Sequence, residues 1–437
     1  GSLTGGLSSL GMGGINSADL AVQERNENPN SKYHYELVVL DDEGKPNVGV
    51  QVVTKLASDR KVAGVVAHYV SAVALSTVDI FHRFGMPALI WGAVHPDITY
   101  GNNYKEIFRI PGTMINQNEV AAKFMTGLGY KKFAIIHDTT DYGKGHASYF
   151  SDFVKKNGGE IVGEFGVTSN QQDFTAELTK IKALDPQVLY FASLVPTGVR
   201  VRAQMVKLGM TDIQFQGVSG IKSDAFIHGV GDEAAEGCMS FIEGSPLEKL
   251  PGGAAFLSSY EKHGYEQAPE AYGPFAYAAM VQLLDAIEAE GPNHKKIISY
   301  LQNIKSADTL VGKVTYDDHG QNIEPAVSKY IVQDGQWIFW EDSKYCSGER
   351  AFPGRPEGGC PWSAQCFIKR IWFYGWRSAG AVHHERTHAR HDVRSGGCRL
   401  YTVFRRIGHY CFFSWRYGHG RRVCRFGNVC LAAVRVP

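Results

Sequence analysis

Three things are scarce in this sequence: cysteine in its first 345 residues, long apolar runs, and recognisable catalytic motifs. Only Cys238 precedes residue 346, so this large region cannot contain an internal disulfide, and a domain of its size needs none. No run of 18 or more apolar residues occurs, which argues against a membrane-spanning helix. The start of the chain shows no signal-peptide pattern.

The missing catalytic motifs argue against an enzyme. There is no G-x-S-x-G elbow, no H-E-x-x-H pair and no phosphate loop. The glycine-rich residues 11–14 do not match the dinucleotide fingerprint, and no strand precedes them. His68, His95 and His137 lie near predicted strand ends, where a lone histidine is more often a hydrogen-bonded loop residue than a catalytic one. We therefore predict a protein that is not an enzyme and that has no cofactor.

Charge and cysteine divide the chain into two regions. Residues 346–437 hold 15 Arg and 1 Lys against 4 acidic residues, together with seven of the eight cysteines. The remaining residues 1–345 are acidic, which argues against nucleic acid as a partner. Residues 346–437 show no sustained period of helix or strand and predict a non-globular tail, either a frameshift or read-through product or a genuine extension. The cysteines and histidines of the tail lack zinc-site spacing, so we predict no metal site.

Residues 1–345 alternate short apolar runs with amphipathic stretches. Strands are predicted at 35–40, 62–67 and 87–91, with helices at 47–58 and 71–84 between them. Because the apolar runs are continuous, they are typical of strands buried on both faces of a parallel sheet. Strand–helix–strand order predicts right-handed βαβ units.

A second series of the same kind predicts a second lobe. Its strands are expected at 132–137, 160–165, 187–192 and 213–216, and its helices at 145–156, 174–183 and 199–208. Late elements follow as helices at 253–263, 273–290 and 294–304 and strands at 311–316, 326–333 and 336–340. Asp334-Gly335 between the last two strands predicts a tight hairpin.

The late elements must be shared between the two lobes, which predicts an α/β fold of two doubly wound parallel-sheet lobes joined by a three-strand hinge. We expect the first lobe at 1–112 plus 243–320, and the second lobe at 113–242 plus 321–345. In such sheets, ligands bind beyond the carboxyl ends of the strands.

Five stretches together resemble the branched-chain amino acid binding proteins of ABC importers, which have the type I periplasmic binding fold. The stretches are residues 1–6 (GSLTGG), 67–71 (AHYVS), 92–99 (GAVHPDIT), 135–145 (IIHDTTDYGKG) and Asp173-Phe174. The third and fourth resemble the second ligand loop and the "HD-x-x-x-YG-x-G" loop of the family. The resemblance covers about residues 1–340 and implies that the first strand of the fold, with a signal peptide, is missing before residue 1.

The resemblance also implies a ligand site. Ser71 at a helix start is expected to contact a ligand carboxylate, although a simple helix N-cap is the alternative role. Tyr142 is expected to cover the ligand from the second lobe. The full set of residues expected to bind ligand is Leu10, Tyr69, Val70, Ser71, Gly92, Ala93, Val94, Tyr142, Leu194 and Ser219.

Four of these positions depart from the pattern of the family. Leu194 stands near a position where the family commonly has Tyr, and Leu10 stands near one where it has an aromatic residue at the mouth of the site. The other two departures leave the ligand open. Val94 stands where the family usually has Thr or Ser, and Ser219 stands where it has an acidic residue for the ammonium group of the ligand. A buried ammonium without a carboxylate partner is costly, so an amino acid and an organic acid without the amine both remain candidates. Asp224, His95 or Glu243 could supply the missing partner, but the sequence does not place them.

The function implied is that of the extracytoplasmic solute-binding component of an ABC importer. It would capture a branched-chain amino acid or related small carboxylate between the lobes by hinge closure. The expected location is the periplasm, or the outer face of the membrane, and the expected partners are the solute and the permease subunits, with the protein itself a monomer. The alternative is the ligand-sensing domain of an amide or amino-acid regulator or receptor.

Overall fold

The computed structural model describes residues 1–352 and the backbone of residues 433–435. These residues belong to a compact unit made of residues 1–363 and 428–437. Most of the predicted tail at 346–437 lies outside the described residues, so only its two ends are considered below. Within the described part of the chain, no helix is both long and apolar enough to cross a membrane.

Four strands from the first part of the chain and one from its end form a five-stranded sheet, which we call sheet A. Its strands are β1 (Glu36–Leu37), β2 (Val62–Val66), β3 (Ala88–Ile90), β4 (Ile107–Arg109) and β14 (Ala433–Arg435). They lie in the order β1-β14-β2-β3-β4. Strands β2, β3 and β4 are parallel, whereas β14 runs antiparallel to both of its neighbours. The predicted strand at 35–40 is reduced to two residues, and the place between it and β2 is filled from the end of the chain.

Strands β2, β3 and β4 of sheet A are buried on both faces, which explains their continuous apolar runs. All five residues of β2 and all three of β3 are buried. Leu89 packs with the helical residue Leu283 on one face, whereas Ala88 and Ile90 belong to a second apolar cluster on the other face. This arrangement is typical of parallel strands covered by helices on both sides, as the sequence predicts.

The second sheet, sheet B, has seven strands in the order β13-β12-β9-β8-β7-β5-β6. Its strands are β5 (Lys132–Asp138), β6 (Glu160–Val167), β7 (Val188–Ala192), β8 (Gln214–Gly217), β9 (Met239–Ile242), β12 (Ser328–Gln333) and β13 (Gln336–Phe339). Strands β5 to β9 are parallel, and β12 and β13 add an antiparallel edge. The predicted hairpin is confirmed: Asp334 and Gly335 have φ of 52° and 74°, as the tightest hairpin turn requires.

Helices cover both sheets. They are α1 (Ser8–Glu27), α2 (Pro46–Ser58), α3 (Ser71–Phe84), α4 (Met114–Gly127), α5 (Asp141–Lys156), α6 (Thr175–Ala183), α7 (Val195–Lys207), α8 (Asp224–Val230), α9 (Asp232–Ala235), α10 (Gly253–Lys262), α11 (Gly273–Glu290), α12 (His294–Gln302) and α13 (Lys344–Ser347). A small ribbon of β10 (Ala307–Thr309) and β11 (Gly312–Val314) follows α12.

The glycines of residues 11–14 lie inside helix α1, which the sequence did not predict. A Cβ atom on Gly13 would lie 2.6 Å from the carbonyl oxygen of Ala268, and one on Gly14 would collide with the ring of Trp91. These glycines therefore let the helix pack closely against the rest of the molecule. A phosphate-binding role for this stretch has no support, because the glycines face protein rather than an open loop.

The chain passes between the two sheets at three places, after β4, after β9 and before β12. The first and third passages lie side by side. The amide of Arg109 donates to the carbonyl of Gly320 at 2.8 Å, and the amide of Asn322 donates to the carbonyl of Arg109 at 3.2 Å. The Arg109 side chain donates to Oε1 of Gln321 at 2.5 Å. Two neighbouring passages tied in this way resist sideways shear and leave bending as the freer motion.

Candidate functional site

Seven of the ten predicted site residues line one cavity of about 470 Å³. They are Tyr69, Val70, Ser71, Gly92, Tyr142, Leu194 and Ser219. The other three do not reach it. Ala93 and Val94 are buried in the core behind the loop, and Leu10 is buried on α1. Leu7, one turn before Leu10, lines the cavity instead, because α1 begins at Ser8 and turns Leu10 inward.

The cavity lies where three helices begin. Val70 is the N-cap residue of α3, Thr140 that of α5 and Leu194 that of α7. No side chain caps the first turn of α3 or α7, whereas the Thr140 hydroxyl accepts from the amide of Gly143 in α5. Because uncapped first turns present free N–H groups and partial positive charge, this region suits an anionic group of a ligand.

Ser71 is the first residue of α3, so the N-cap role considered for it is wrong, and Val70 holds that position. The Ser71 hydroxyl oxygen accepts from the amides of Val94 and His95, both at 3.3 Å. These contacts orient the side chain and leave its hydrogen available for donation. The backbone of Val94 therefore contributes to the site indirectly, although its apolar side chain faces the core.

Buried hydrogen bonds hold the loop before Ser71 in place. Nδ1 of His68 lies 3.0 Å from Oδ2 of Asp42, and Nε2 of His68 lies 3.0 Å from the hydroxyl of Thr77 in α3. Burial lowers the pKa of His68. Burial alone would raise the pKa of Asp42, but hydrogen bonding from His68 contributes to holding it below the ordinary value. His68 is thus a buried structural residue, as expected.

The opposite wall is built around Tyr142. Its hydroxyl accepts from the amide of Gly220 at 3.1 Å and lies 3.5 Å from the hydroxyl of Ser219. Asp138, at the end of β5, accepts from the amide of Thr140 at 2.9 Å and from the hydroxyl of Ser193 at 2.6 Å. Asp138 therefore shapes the loop that starts α5.

The sequence did not predict Tyr272 as part of the site, and it left Glu243 unplaced. Tyr272 lines the cavity and packs edge-on against Tyr69, with ring centroids 5.8 Å apart. Its hydroxyl donates to Oε2 of Glu243 at 2.5 Å. Burial raises the pKa of Glu243 to about 7, although the hydrogen bond from Tyr272 and the nearby hydroxyl of Ser219 partly oppose this. Tyr272 lies just before the Gly-Pro start of α11. That position was the only feature of the sequence that could have indicated Tyr272 as a site residue.

The other two candidates for an ammonium partner lie elsewhere. Asp224 is exposed at the start of α8 and lines a separate cavity of about 250 Å³. His95 lies at the rim, where its Nδ1 accepts from the amide of Asp97 at 3.2 Å. Among these three candidates, only Glu243 has a side chain that accepts a hydrogen bond from a cavity-lining residue, Tyr272.

The two walls approach each other closely at the rim of the cavity. A Cβ atom on Gly6 would lie 2.8 Å from the Pro196 ring, and one on Gly145 would lie 3.5 Å from the imidazole of His95. Gly6 and His95 belong to the sheet A side, whereas Pro196 and Gly145 belong to helices of sheet B. A cavity enclosed between two doubly wound sheets that are joined by three passages defines a two-lobed solute-binding protein.

Comparison with known proteins agrees with this class. A sequence profile of the periplasmic binding protein family matches residues 1–336. The Leu/Ile/Val-binding protein homolog 2 of Brucella abortus is 30% identical over 312 residues, which are 71% of this chain and 81% of the relative. An amino acid binding protein of Pseudomonas aeruginosa is 28% identical over 307 residues, covering 70% of this chain and 79% of that protein.

Solved structures agree as well. The crystal structure of a leucine binding protein from Thermotoga maritima superposes with a TM-score of 0.71 at 24% identity, covering 77% of this chain and 95% of that one. The chain therefore belongs to the periplasmic binding protein family, and its fold is that of the type I periplasmic binding proteins.

Proposed function

We propose that this protein captures a small carboxylate-bearing solute, an amino acid or a related organic acid, and delivers it to the permease of an ABC importer. The observation that carries the proposal is the cavity at the uncapped start of α3, enclosed between the two lobes. The names of the Brucella and Pseudomonas relatives, which refer to Leu/Ile/Val and amino acid binding, support this ligand class.

The lining of the cavity suits a ligand with one anionic end and an apolar body. No Lys, Arg or His is among the described residues that line it. A carboxylate would therefore be held by the Ser71 hydroxyl and the free amides of the first turn of α3, without an ion pair. Leu7, Val70 and Leu194, with Pro196, supply the apolar surface on both walls.

The mechanism we propose is hinge bending. The solute first contacts Ser71 and the neighbouring loops on the sheet A side, and Tyr142 then covers it from the sheet B side. Because the second set of contacts forms only when the lobes approach, the solute stabilises the closed state. The protein would work as a monomer outside the cytoplasmic membrane, and it would release its solute unchanged to the permease rather than convert it.

A thermal-shift screen tests the ligand class. The panel holds aliphatic and aromatic amino acids, the same compounds without the amine, and sugars as unrelated solutes. A ligand present at 100 times its dissociation constant adds about 2.7 kcal/mol to the free energy of unfolding, which raises the melting temperature measurably. We expect a response to carboxylate compounds alone. A response to sugars and to no carboxylate would contradict the proposal.

A further inference from the structure

Glu243 is a fully buried carboxylate with half of its hydrogen-bonding capacity unused. It follows strand β9 and is 0% exposed. Oε2 accepts from the hydroxyl of Tyr272, whereas Oε1 has no hydrogen-bond partner among the described residues. An ionised carboxylate in such a place is costly unless a positive group or several donors satisfy it.

Two other buried carboxylates near the cavity each accept several hydrogen bonds. Asp138 accepts from an amide and two hydroxyl groups, and Asp42 accepts from His68, from the hydroxyl of Ser2 and from the amide of Gly44. Both belong to the framework of the protein. Glu243 differs because the residues around it offer hydroxyl groups but too few hydrogen-bond donors to satisfy both of its carboxylate oxygens.

The buried cation Arg109 does not pair with the unpartnered oxygen of Glu243. Its guanidinium donates to Gln321, to Thr99 and to the carbonyl of His95. None of the ion pairs found among the described residues includes Arg109 or Glu243. Arg109 lowers the pKa of Glu243 through its charge alone, without a direct contact.

The hydroxyl groups beside Glu243 connect it to the cavity. Tyr272 and Ser219 both line the cavity, and the Tyr272 hydroxyl donates to the carboxylate. Because that hydroxyl gives its hydrogen to Glu243, its lone pairs remain able to accept from a donor in the cavity that Tyr272 lines. The rings of Tyr69, Tyr142 and Tyr272 surround the same region, and aromatic faces attract cations.

We propose that Glu243 supplies the negative charge that balances an ammonium group of the solute, which donates to the Tyr272 hydroxyl on the cavity side. The inference rests on the proposed function and narrows it: the solute is an α-amino acid with an apolar side chain, not the corresponding acid without the amine.

Calorimetric titration of the full chain with leucine and with 4-methylpentanoic acid tests the inference, and phenylalanine with 3-phenylpropanoic acid forms a second pair. We expect each amino acid to bind about 10- to 100-fold more tightly than its partner acid, as for a hydrogen bond to a charged group. In Glu243→Gln, the affinity for the amino acid should fall by about the same factor, while that for the acid changes less than about threefold.

Asp224→Asn is the matched control, since Asp224 is the other carboxylate considered for this role and lies outside the cavity. It should keep the preference of the wild type. Should Glu243→Gln fail to fold, Tyr272→Phe keeps the ring, removes the hydroxyl and should reduce amino acid affinity selectively.

The outcomes separate this inference from the proposed function. Equal or tighter binding of the acids without an amine overturns the role of Glu243 and leaves the proposed function standing. An unchanged preference in both Glu243→Gln and Tyr272→Phe also overturns it. Binding of neither class by the folded wild-type protein overturns both the inference and the proposed ligand class.

Discussion

Nδ1 of His68 lies 3.0 Å from Oδ2 of Asp42, with both side chains buried, and this contact anchors the loop that carries Tyr69 and Ser71 into the cavity. Asp42→Asn should lower the free energy of unfolding by about 1–3 kcal/mol, because a hydrogen bond to a charged buried group is weakened. It should also weaken solute binding, since the loop loses its anchor. Urea unfolding and calorimetry measure the two effects.

Asp318→Asn provides the control for that experiment, because Asp318 is an exposed carboxylate far along the chain. It should change neither stability nor affinity. If Asp42→Asn unfolds at the same urea concentration as Asp318→Asn, the anchoring role of the Asp42–His68 contact is wrong.

The pKa of Glu243 predicts how stability depends on pH in the ligand-free protein. Burial raises this pKa from 4.5 to about 7, against partial lowering by hydrogen bonds. Between these pH values the folded protein binds more protons than the unfolded chain, so the contribution of Glu243 to stability falls as pH rises. The groups coupled to Glu243 are the Arg109 guanidinium, the Ser219 hydroxyl and the phenols of Tyr69, Tyr142, Tyr190 and Tyr272.

The measurement is urea unfolding of the wild type and Glu243→Gln at pH 4.5 and pH 7.5. Relative to the wild type, the variant should gain about 1–3 kcal/mol on going to the higher pH. All other titrating groups are shared and cancel in this difference. A difference that stays constant, or that changes in the opposite direction, contradicts the raised pKa.

Closure of the two walls predicts that bulk at Gly6 will interfere with binding. A Cβ atom there would lie 2.8 Å from the Pro196 ring on the other wall. Gly6→Leu should therefore disfavour the closed state and reduce solute affinity by about tenfold. This loss corresponds to roughly 1–2 kcal/mol of binding free energy. Gly252→Leu, whose Cβ would meet only Leu310 at 3.5 Å, should bind normally. Equal affinities of the two variants would show that Gly6 and Pro196 do not meet during closure.

The Ser71 hydroxyl is expected to donate to the carboxylate of the solute. Ser71→Ala should weaken binding by about 10-fold or more, because a hydrogen bond to a charged group is lost. Both amino acids and acids without the amine should be affected to a similar degree, in contrast to Glu243→Gln. Calorimetry with leucine and 4-methylpentanoic acid distinguishes the two patterns, and an amine-dependent loss in Ser71→Ala would contradict this assignment.

Much of the fold could be predicted because apolar periodicity dominates it. Helices α3 and α11 occur with the predicted bounds, and the hairpin at Asp334-Gly335 follows from the backbone freedom of those two residues. Helix α1 was missed because glycine has low intrinsic helix propensity and three glycines occupy its first half. Close packing against Trp91 and Ala268 stabilises that helix, and such packing cannot be seen in one sequence.

The site was predictable where it follows strands and unpredictable where distant segments meet. Tyr69 to Ser71 and Tyr142 lie after β2 and β5, at the edge where ligands bind in open sheets. The contact between Glu243 and Tyr272 joins residues 29 positions apart that come together only through the crossing between lobes. Leu10 was expected to bind the ligand, but the start of α1 turns it inward, and Leu7 lines the cavity instead.

Small-angle X-ray scattering tests hinge closure around a solute most directly. The scattering of the ligand-free protein is compared with that at saturating concentrations of the solute that gives the largest thermal shift. Hinge closure predicts that the radius of gyration decreases on binding, and that the decrease saturates in the concentration range in which calorimetry detects binding. An unchanged radius of gyration with a tightly bound solute would contradict the account.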